Sequence, residues 1–254
     1  VSLRVTEDQG LVRINQPVTS GVPLAEGQLW NPASARLLRD GQEVPLQASV
    51  LSRWPDGSIR WLLLDFQADL VAGETAEYVL EYGSTVAASP YAGIVVEEDH
   101  DTVTVATGRL EVTFGKQSQL IRGLKVDGVP WEGLQSPELV LQGSGGLVIS
   151  TSSAPYQLMV EEVGPERVVV LVKGELHEME GGETLNFAYD MRFHFYRNAT
   201  RVRIDPTITH LMGWEPRIAV SHAKITDVSL SFPGWLRGSQ AIFDIATARE
   251  QISS

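Results

Sequence analysis

Leu46-Gln47-Ala48-Ser49-Val50-Leu51-Ser52-Arg53-Trp54-Pro55-Asp56-Gly57-Ser58-Ile59-Arg60-Trp61-Leu62-Leu63-Leu64-Asp65-Phe66 is two strand-like runs around a turn. In Pro55-Asp56-Gly57-Ser58 the proline fixes φ, the aspartate bonds nearby backbone and the glycine accepts a left-handed conformation. A four-residue loop would place Trp54 opposite Ile59, Ser52 opposite Trp61 and Val50 opposite Leu63. Val50, Trp54, Ile59, Trp61 and Leu63 would then share one apolar surface, which puts Trp54 and Trp61 in the core. Arg53 and Arg60 would oppose each other and need a carboxylate, solvent or an anion between them.

The same alternation extends in both directions. Leu3, Val5, Leu11, Val12 and Ile14 suggest short opening strands, and Pro17-Val18-Thr19-Ser20-Gly21-Val22-Pro23 is expected to interrupt them. Asn31-Pro32 is a second break. Asp40-Gly41 is a direct hairpin signal. Ala72-Gly73-Glu74 is another turn, after which Ala76, Tyr78, Leu80 and Tyr82 alternate. Residues 84–92 are poor in core residues and mark a domain boundary. Beyond them, strands are expected near 94–97, 102–106, 110–114, 120–126, 158–161 and 168–176. Val168-Val169-Val170-Leu171-Val172 is apolar on both faces and reads as a central buried strand. No amphipathic helix of three turns is found before about residue 240, and 241–252 is expected to form a short terminal helix or a frayed tail. The fold class is therefore all-β, in units of 1–85 and 92–240 with a tail at 241–254. The second unit is an antiparallel β-sandwich.

A second hairpin carries most of the chemistry. Phe187, Tyr189, Met191, Phe193 and Phe195 fall on one face of a strand, and Asp190, Arg192, His194 and Tyr196 on the other. A turn at Arg197-Asn198-Ala199-Thr200 returns Val202, Ile204, Pro206 and Ile208. The implied register sets Phe195 against Val202, Phe193 against Ile204, Tyr189 against Ile208, His194 against Arg203 and Arg192 against Asp205. Pro206 lacks an N–H, so its strand should be an edge or end there. The polar face reads as a solvated row of cross-strand ion pairs, or as a surface for an acidic or hydroxyl-rich ligand. His194 is the residue type for a general base near neutral pH.

Composition narrows the function. The 254 residues hold 20 Lys and Arg against 32 Asp and Glu, a net charge of −12, which opposes a nucleic-acid backbone. No run is long and apolar enough for a membrane helix. The absence of cysteine excludes disulfides, thiolate catalysis and cysteine-ligated metals. His100, His177, His194, His210 and His222 have no metal-ligand spacing, so no cofactor is expected. Glu97-Glu98 and Asp99-His100-Asp101 read as an exposed acidic turn that could hold calcium weakly, without the twelve-residue calcium-loop pattern. Gly143-Ser144-Gly145-Gly146 is not a phosphate cradle, and no nucleophile-elbow motif occurs. Asn198-Ala199-Thr200 matches a glycosylation triplet. Trp131, Trp214 and Trp235 sit beside Gly or Pro and are candidate sugar-stacking platforms. The chain opens at Val1 and is read as a processed or trimmed product. Secretion, the periplasm or the cell surface is the expected location.

Arg53 to Phe66 resembles the amino-terminal RIFT-like β-barrel of the exo-rhamnogalacturonan lyase and YetA-like family. Pro17 to Pro23, Val44-Pro45-Leu46-Gln47 and Ala72-Gly73-Glu74-Thr75-Ala76 extend the resemblance. Gly108-Arg109-Leu110-Glu111-Val112 and His194-Phe195-Tyr196-Arg197 are similar to its central β-sandwich. The resemblance implies a small RIFT-like barrel followed by the sandwich, with an α/α-toroid domain as a missing neighbour. It also implies an acidic polysaccharide as the partner. Elimination from a uronate needs a base for the C5 proton and a cation for the enolate, and no catalytic residue can be assigned. The candidate binding residues are Arg192, His194, Arg203, Trp131 and Trp214. The expected function is a non-catalytic module that scaffolds a lyase-like protein or weakly binds acidic glycan. The alternatives are a structural interaction module and a small complete uronate lyase working on the 190–205 ribbon.

Overall fold

The computed structural model describes residues 1–117, 119–133, 135–143, 148–151, 156–180, 183–211 and 225–231. The expected tail at 241–254 and helix at 241–252 lie outside them. The first unit contains β1 (Ser2–Thr6), β2 (Arg13–Pro23), β3 (Ala35–Arg39), β4 (Gln42–Val44), β5 (Leu46–Arg53), β6 (Ile59–Leu70) and β7 (Thr75–Tyr82). They form two antiparallel sheets in the orders β1-β7-β3-β4 and β2-β6-β5. Leu37, Leu62, Leu64, Phe66, Tyr78 and Leu80 fill the space between them, with the Phe66 and Tyr78 rings 5.0 Å apart.

The β5–β6 hairpin forms, with a different register from the one its sequence suggests. Trp54 N–H donates to Ser58 O at 2.8 Å, so the loop holds three residues, Pro55-Asp56-Gly57. Gly57 takes φ +85°, and Asp56 Oδ1 accepts from both Ser58 N–H and Ser58 Oγ. Bulges on either side of Ser52 leave Ser52 opposite Trp61 as expected, but move Val50 to Leu62 and Arg53 to Ile59. Each bulge inserts an extra residue and so changes which residues face inward. Leu62, Leu64, Phe66, Ala68 and Leu70 enter the core, and Trp61 is 40% exposed. Trp61 is therefore not a core residue. Trp54 is half-buried and donates its Nε1–H to Leu24 O at 3.0 Å. The opposed arginines do not occur. Arg53 donates to Trp30 O and Gly57 O, while the Arg60 guanidinium lies 4.8 Å from the Trp54 ring centroid.

The Pro17–Pro23 stretch also departs from expectation, because it lies within β2, an edge strand paired to β6 from Pro17↔Gln67 to Pro23↔Trp61. An edge strand leaves alternate N–H groups unused, which is where proline is tolerated. Leu11, Val12 and Ile14 are exposed. Asp40 and Gly41 both have positive φ in the β3–β4 turn, as a two-residue hairpin of that sequence requires.

The second unit contains β8 (Val95–Glu98), β9 (Thr102–Ala106), β10 (Leu110–Gly115), β11 (Ile121–Val126), β12 (Val129–Pro130), β13 (Glu138–Gly143), β14 (Val148–Ser150), β15 (Tyr156–Val163), β16 (Arg167–Glu180), β17 (Glu183–Tyr196), β18 (Val202–His210) and β19 (Ile225–Ser231). The sheets run β12-β11-β10-β9-β8, β15-β16-β17-β18 and β14-β13-β19. Val103, Val105, Val112 and Phe114 pack on Val168, Val170, Phe193 and Phe195 in one core. Phe114 meets Phe193 and Phe195 edge-on at 5.3 and 5.9 Å. Both faces of β16 are buried from Val168 to Val172, as its sequence implies.

A buried carboxylate ties the open end of the first unit together. Glu7 is 4% exposed. Its oxygens accept backbone N–H groups from Gln9, Gly10, Leu11 and Gly73 at 2.9–3.1 Å. The Gly73 N–H, with the three others, outweighs burial and holds the Glu7 carboxyl below its ordinary range. A carboxyl with a depressed native pKa stabilises the fold above its unfolded pKa, and that stability is lost as pH falls through the native value. Glu7→Gln should lower the melting temperature at neutral pH by several degrees. It should also flatten the acid limb of a Tm-against-pH series relative to the parent protein.

Candidate functional site

The two units meet through polar side chains on the outer faces of two sheets. Thr19 of β2 and Asp65 of β6 point out of the β2-β6-β5 sheet. Arg167 points out of the β15-β16-β17-β18 sheet at the start of β16. Thr19 Oγ1 donates to Asp65 Oδ1 at 2.5 Å, and Arg167 Nη1 lies 3.3 Å from the same oxygen. Glu162 takes the other end of the guanidinium, Nη2 to Oε2 at 2.5 Å. Gln47 of β5 completes the junction. Its Oε1 accepts the N–H groups of Glu166 and Arg167 at 3.1 and 2.9 Å, and its Nε2 donates to Glu162 at 2.8 Å. A Cβ on Gly164 would overlap the Gln47 amide, which would have to swing away and give up these bonds.

A second cluster lies beside it. Glu166 is 2% exposed and is ion-paired to Arg197 Nε, while Gln67 Nε2 reaches Glu166 Oε2 and Arg197 O. The Arg197 guanidinium lies 5.4 Å from the Tyr91 ring centroid, which anchors the segment between the units. Burial pushes both the Asp65 and Glu166 carboxyls up from their ordinary range, against the lowering effect of their arginines. The Asp40-Gly41 and Pro55-Asp56-Gly57 turns are legible from sequence, but these junction residues are not. The available signal is a carboxylate, Asp65, inside the apolar run Leu62-Leu63-Leu64-Asp65-Phe66.

The ribbon expected to carry chemistry begins at this junction. β17 and β18 pair in the implied register, with Phe195↔Val202, Phe193↔Ile204, Tyr189↔Ile208, His194↔Arg203 and Arg192↔Asp205. Pro206 sits on β18, the last strand of its sheet among the described residues. Arg192, His194 and Arg203 are thus brought together on one outer face, and each meets a carboxylate there. Arg192 makes two bonds to Glu161, at 2.7 and 2.9 Å. Arg203 Nε donates to Asp205 Oδ1 at 2.9 Å. His194 Nε2 lies 3.1 Å from Asp205 Oδ2, but off the line of a hydrogen bond, and both ring nitrogens are buried. Burial lowers the His194 pKa. Asp205 opposes that effect, and the charges of Arg167 and Arg203 reinforce it. With both nitrogens buried and Asp205 beside Nε2, the ring offers no lone pair to a proton on a bound sugar.

The tryptophan candidates do not join this face. Trp131 follows β12, in the sheet across the core, and its N–H donates to Leu124 O at 2.9 Å. Trp214, Trp235 and His222 lie outside the described residues, as do the side chains of His177 and His210. No cluster of three metal-ligating side chains occurs among the described residues. Asp99, expected as a weak calcium ligand, uses its oxygens to cap its own turn, accepting from Asp101 N–H, Thr102 N–H and Thr102 Oγ1. Gln119, Ser136, Tyr156 and Tyr189 help line a cavity of about 110 Å³. That volume suits a few waters rather than a sugar residue.

Barrel, seam and sandwich define a two-unit β module with its polar face at the join. The chain belongs to the PcRGLX-like family: residues 3–80 match the PcRGLX-like N-terminal RIFT barrel domain, and residues 94–215 match the PcRGLX-like protein central beta sandwich domain. Comparison with curated proteins returned no match. Among solved structures, an alpha-mannosidase from Enterococcus faecalis V583 superposes with a TM-score of 0.54 at 9% identity, over 82% of this chain and 29% of that one. A glycosyl hydrolase family 38 protein from Enterococcus faecalis gives 0.54 at 10% identity, over 91% and 32%. At such identities the likeness is one of fold. The chain spans about a third of the length of either structure. The barrel and sandwich are carbohydrate-related domains.

The ribbon electrostatics can be checked directly. By NMR, the His194 ring should titrate below the ordinary histidine range. Asp205→Asn should lower its pKa further, because it removes the carboxylate beside the ring, which favours the charged form. A rise in the His194 pKa in that variant would contradict the assignment.

Proposed function

We propose that this chain is a non-catalytic β module that scaffolds a carbohydrate-active protein. The observation that carries this reading is the seam. Barrel and sandwich are joined by buried, mutually bonded polar groups that resist relative motion, as a platform for a further domain would require. An α/α-toroid neighbour is the occupant suggested by the family resemblance, with units of 1–85 and 92–240 as the platform. An extracytoplasmic location suits such a role.

The ribbon supports the non-catalytic part. Uronate elimination requires a base that can take the C5 proton and a cation free to stabilise the enolate. Arg192 and Arg203 are each bonded to a carboxylate on their own face, and both His194 ring nitrogens are buried away from a bound sugar. The purified chain should therefore release no unsaturated uronate from rhamnogalacturonan or polygalacturonate in an ultraviolet absorbance assay. Steady product formation that disappears in His194→Ala would favour the small-lyase reading instead.

The scaffold reading has its own test. Arg167 is 15% exposed at its side chain and Asp65 4%, so Arg167→Ala leaves a buried carboxylate without its cation, at a cost on the order of 3 kcal/mol. Calorimetry should show the single melting transition of the parent split into two, barrel and sandwich separately. Asp65→Asn added to Arg167→Ala should recover part of the loss. An unchanged single transition in Arg167→Ala would argue against a coupling seam.

A further inference from the structure

Asp-Gly is a dipeptide at which a chain can rearrange without an enzyme, because glycine has no side chain to hinder attack by its own nitrogen on the aspartate carboxyl. The sequence holds three such pairs, Asp40-Gly41, Asp56-Gly57 and Asp127-Gly128. Each lies in a turn, and the fold gives the three carboxyls different surroundings.

Asp56 and its glycine are both tied. Asp56 Oδ1 accepts Ser58 N–H at 2.9 Å and Ser58 Oγ–H at 2.6 Å. The Ser58 side-chain bond, with the backbone one, keeps the Asp56 carboxyl below its ordinary range. The Gly57 N–H donates to Trp54 O at 2.9 Å, so the attacking nitrogen is held in the turn's own bond.

Asp127 and Asp40 form a matched pair. Both open two-residue turns, closed by Val126↔Val129 and Arg39↔Gln42. Their φ angles are 49° and 51°, and the glycines that follow stand at 79° and 76°. Both turns lead into short edge strands, β12 of two residues and β4 of three. The difference is at the carboxyl. Arg109 clamps Asp127 with two bonds, Nε to Oδ1 and Nη2 to Oδ2, each 2.8 Å. Those bonds keep the Asp127 carboxyl below its ordinary range. Asp40 is 90% exposed at its side chain, and Arg39 Nε stands 3.6 Å from its Oδ2, too far for a hydrogen bond. The Arg39 guanidinium is committed elsewhere, to Glu74 Oε1 and Asp69 O.

We propose that Asp40-Gly41 is a site of spontaneous covalent modification, at which the chain converts to an isoaspartyl linkage while the fold protects the other two Asp-Gly pairs. The Gly41 nitrogen gives up its proton and attacks Asp40 Cγ. The N–Cγ bond forms, the carboxyl hydroxyl leaves and takes the proton as water, and a five-membered succinimide results. Water then opens the ring. Breaking the bond from nitrogen to Cγ restores aspartate. Breaking the bond from nitrogen to the main-chain carbonyl carbon of Asp40 leaves isoaspartate, with the chain running through Cβ and Cγ and no net change in mass. Hydroxide departs only from the neutral carboxyl, so a carboxylate held by Arg109 or Ser58 reacts more slowly. Ring closure needs the turn to relax, and β4, paired on one side only, lets it do so. The product lengthens a turn whose two-residue span sets the β3–β4 register from Leu37↔Val44 to Arg39↔Gln42.

The test is prolonged incubation of the full chain in mildly acidic buffer at body temperature, followed by digestion and chromatographic separation of the isomeric peptides. Enzymatic methylation of isoaspartyl carboxyls gives an independent count. Isoaspartate should accumulate at residue 40 several-fold faster than at 56 or 127. In urea the three sites should react at similar rates. Arg109→Ala should raise the rate at Asp127 to that of Asp40 and leave residues 40 and 56 unchanged. Arg109 and Asp127 are each about half exposed, so the variant should keep its fold, which circular dichroism checks. The proposal is overturned if residue 56 or 127 of the folded parent reacts as fast as residue 40, if residue 40 stays intact while the chain in urea reacts there, or if folded Arg109→Ala leaves Asp127 as slow as before.

Discussion

Gln47 does for the two units what a neighbouring strand does within a sheet. Its carboxamide takes the N–H groups of Glu166 and Arg167, where β16 begins, and returns a donor to Glu162. Those N–H groups lie at the edge of the sandwich, where the barrel covers them, and a buried donor left unpaired costs as much as a lost hydrogen bond or more. The barrel must therefore approach closely enough to satisfy them, which leaves no room for a side chain at residue 164 unless the Gln47 amide is displaced. It also brings Asp65 and Arg167, each poorly tolerated when buried alone, within reach of one another. The relative placement of the two cores follows from this polar constraint rather than from apolar burial, because the two hydrophobic clusters have no residue in common.

The same constraint governs the ribbon. A face of a β-sheet that begins under a neighbouring domain and ends in solvent passes through a gradient of burial. Tyr196 is covered, Arg167 and His194 are half-covered and Arg203 is exposed. Charges along such a gradient are stable only when paired toward the covered end. The pairing of Arg192 with Glu161 and of Arg203 with Asp205 fits that requirement without any catalytic purpose. Residue types that would suit uronate chemistry in a free cleft here form a neutralised surface.

Strand alternation is a property of short stretches, so it could be read from the chain directly. Phe187 to Phe195 and Val202 to Ile208 fixed their own partners, because a slip of one residue would have turned an apolar row to solvent. The β5–β6 hairpin was harder. Its turn chemistry was clear, but bulges at Ser52 are not visible in a pattern of apolar and polar residues, and they moved Trp61 from core to surface. Pro17 and Pro23 looked like breaks because proline denies a strand its N–H, yet edge position, a tertiary fact, removes the objection. The seam was the least legible feature. Gln47, Asp65, Glu166 and Arg167 come from sites up to 120 residues apart, and nothing local distinguishes a glutamine that bridges domains from one that faces water.

Trp61 shows what the register changes at the surface of the first unit. Had the hairpin kept strict alternation, its indole would have filled the barrel, and the outer face of the sheet would have carried Leu62 and Leu64 instead. The bulges send those leucines inward, where they are fully buried, and leave the indole beside Gly21 of the edge strand, where a Cβ would meet its Cε3 at 3.5 Å. An exposed tryptophan loses apolar contact that a core position would have supplied, about 25 cal/mol for each Å² left in water. Arg60 and Arg53 stand on the same hairpin, against an aromatic ring and two carbonyls rather than carboxylates, so the register that exposes the indole also leaves positive charge beside it.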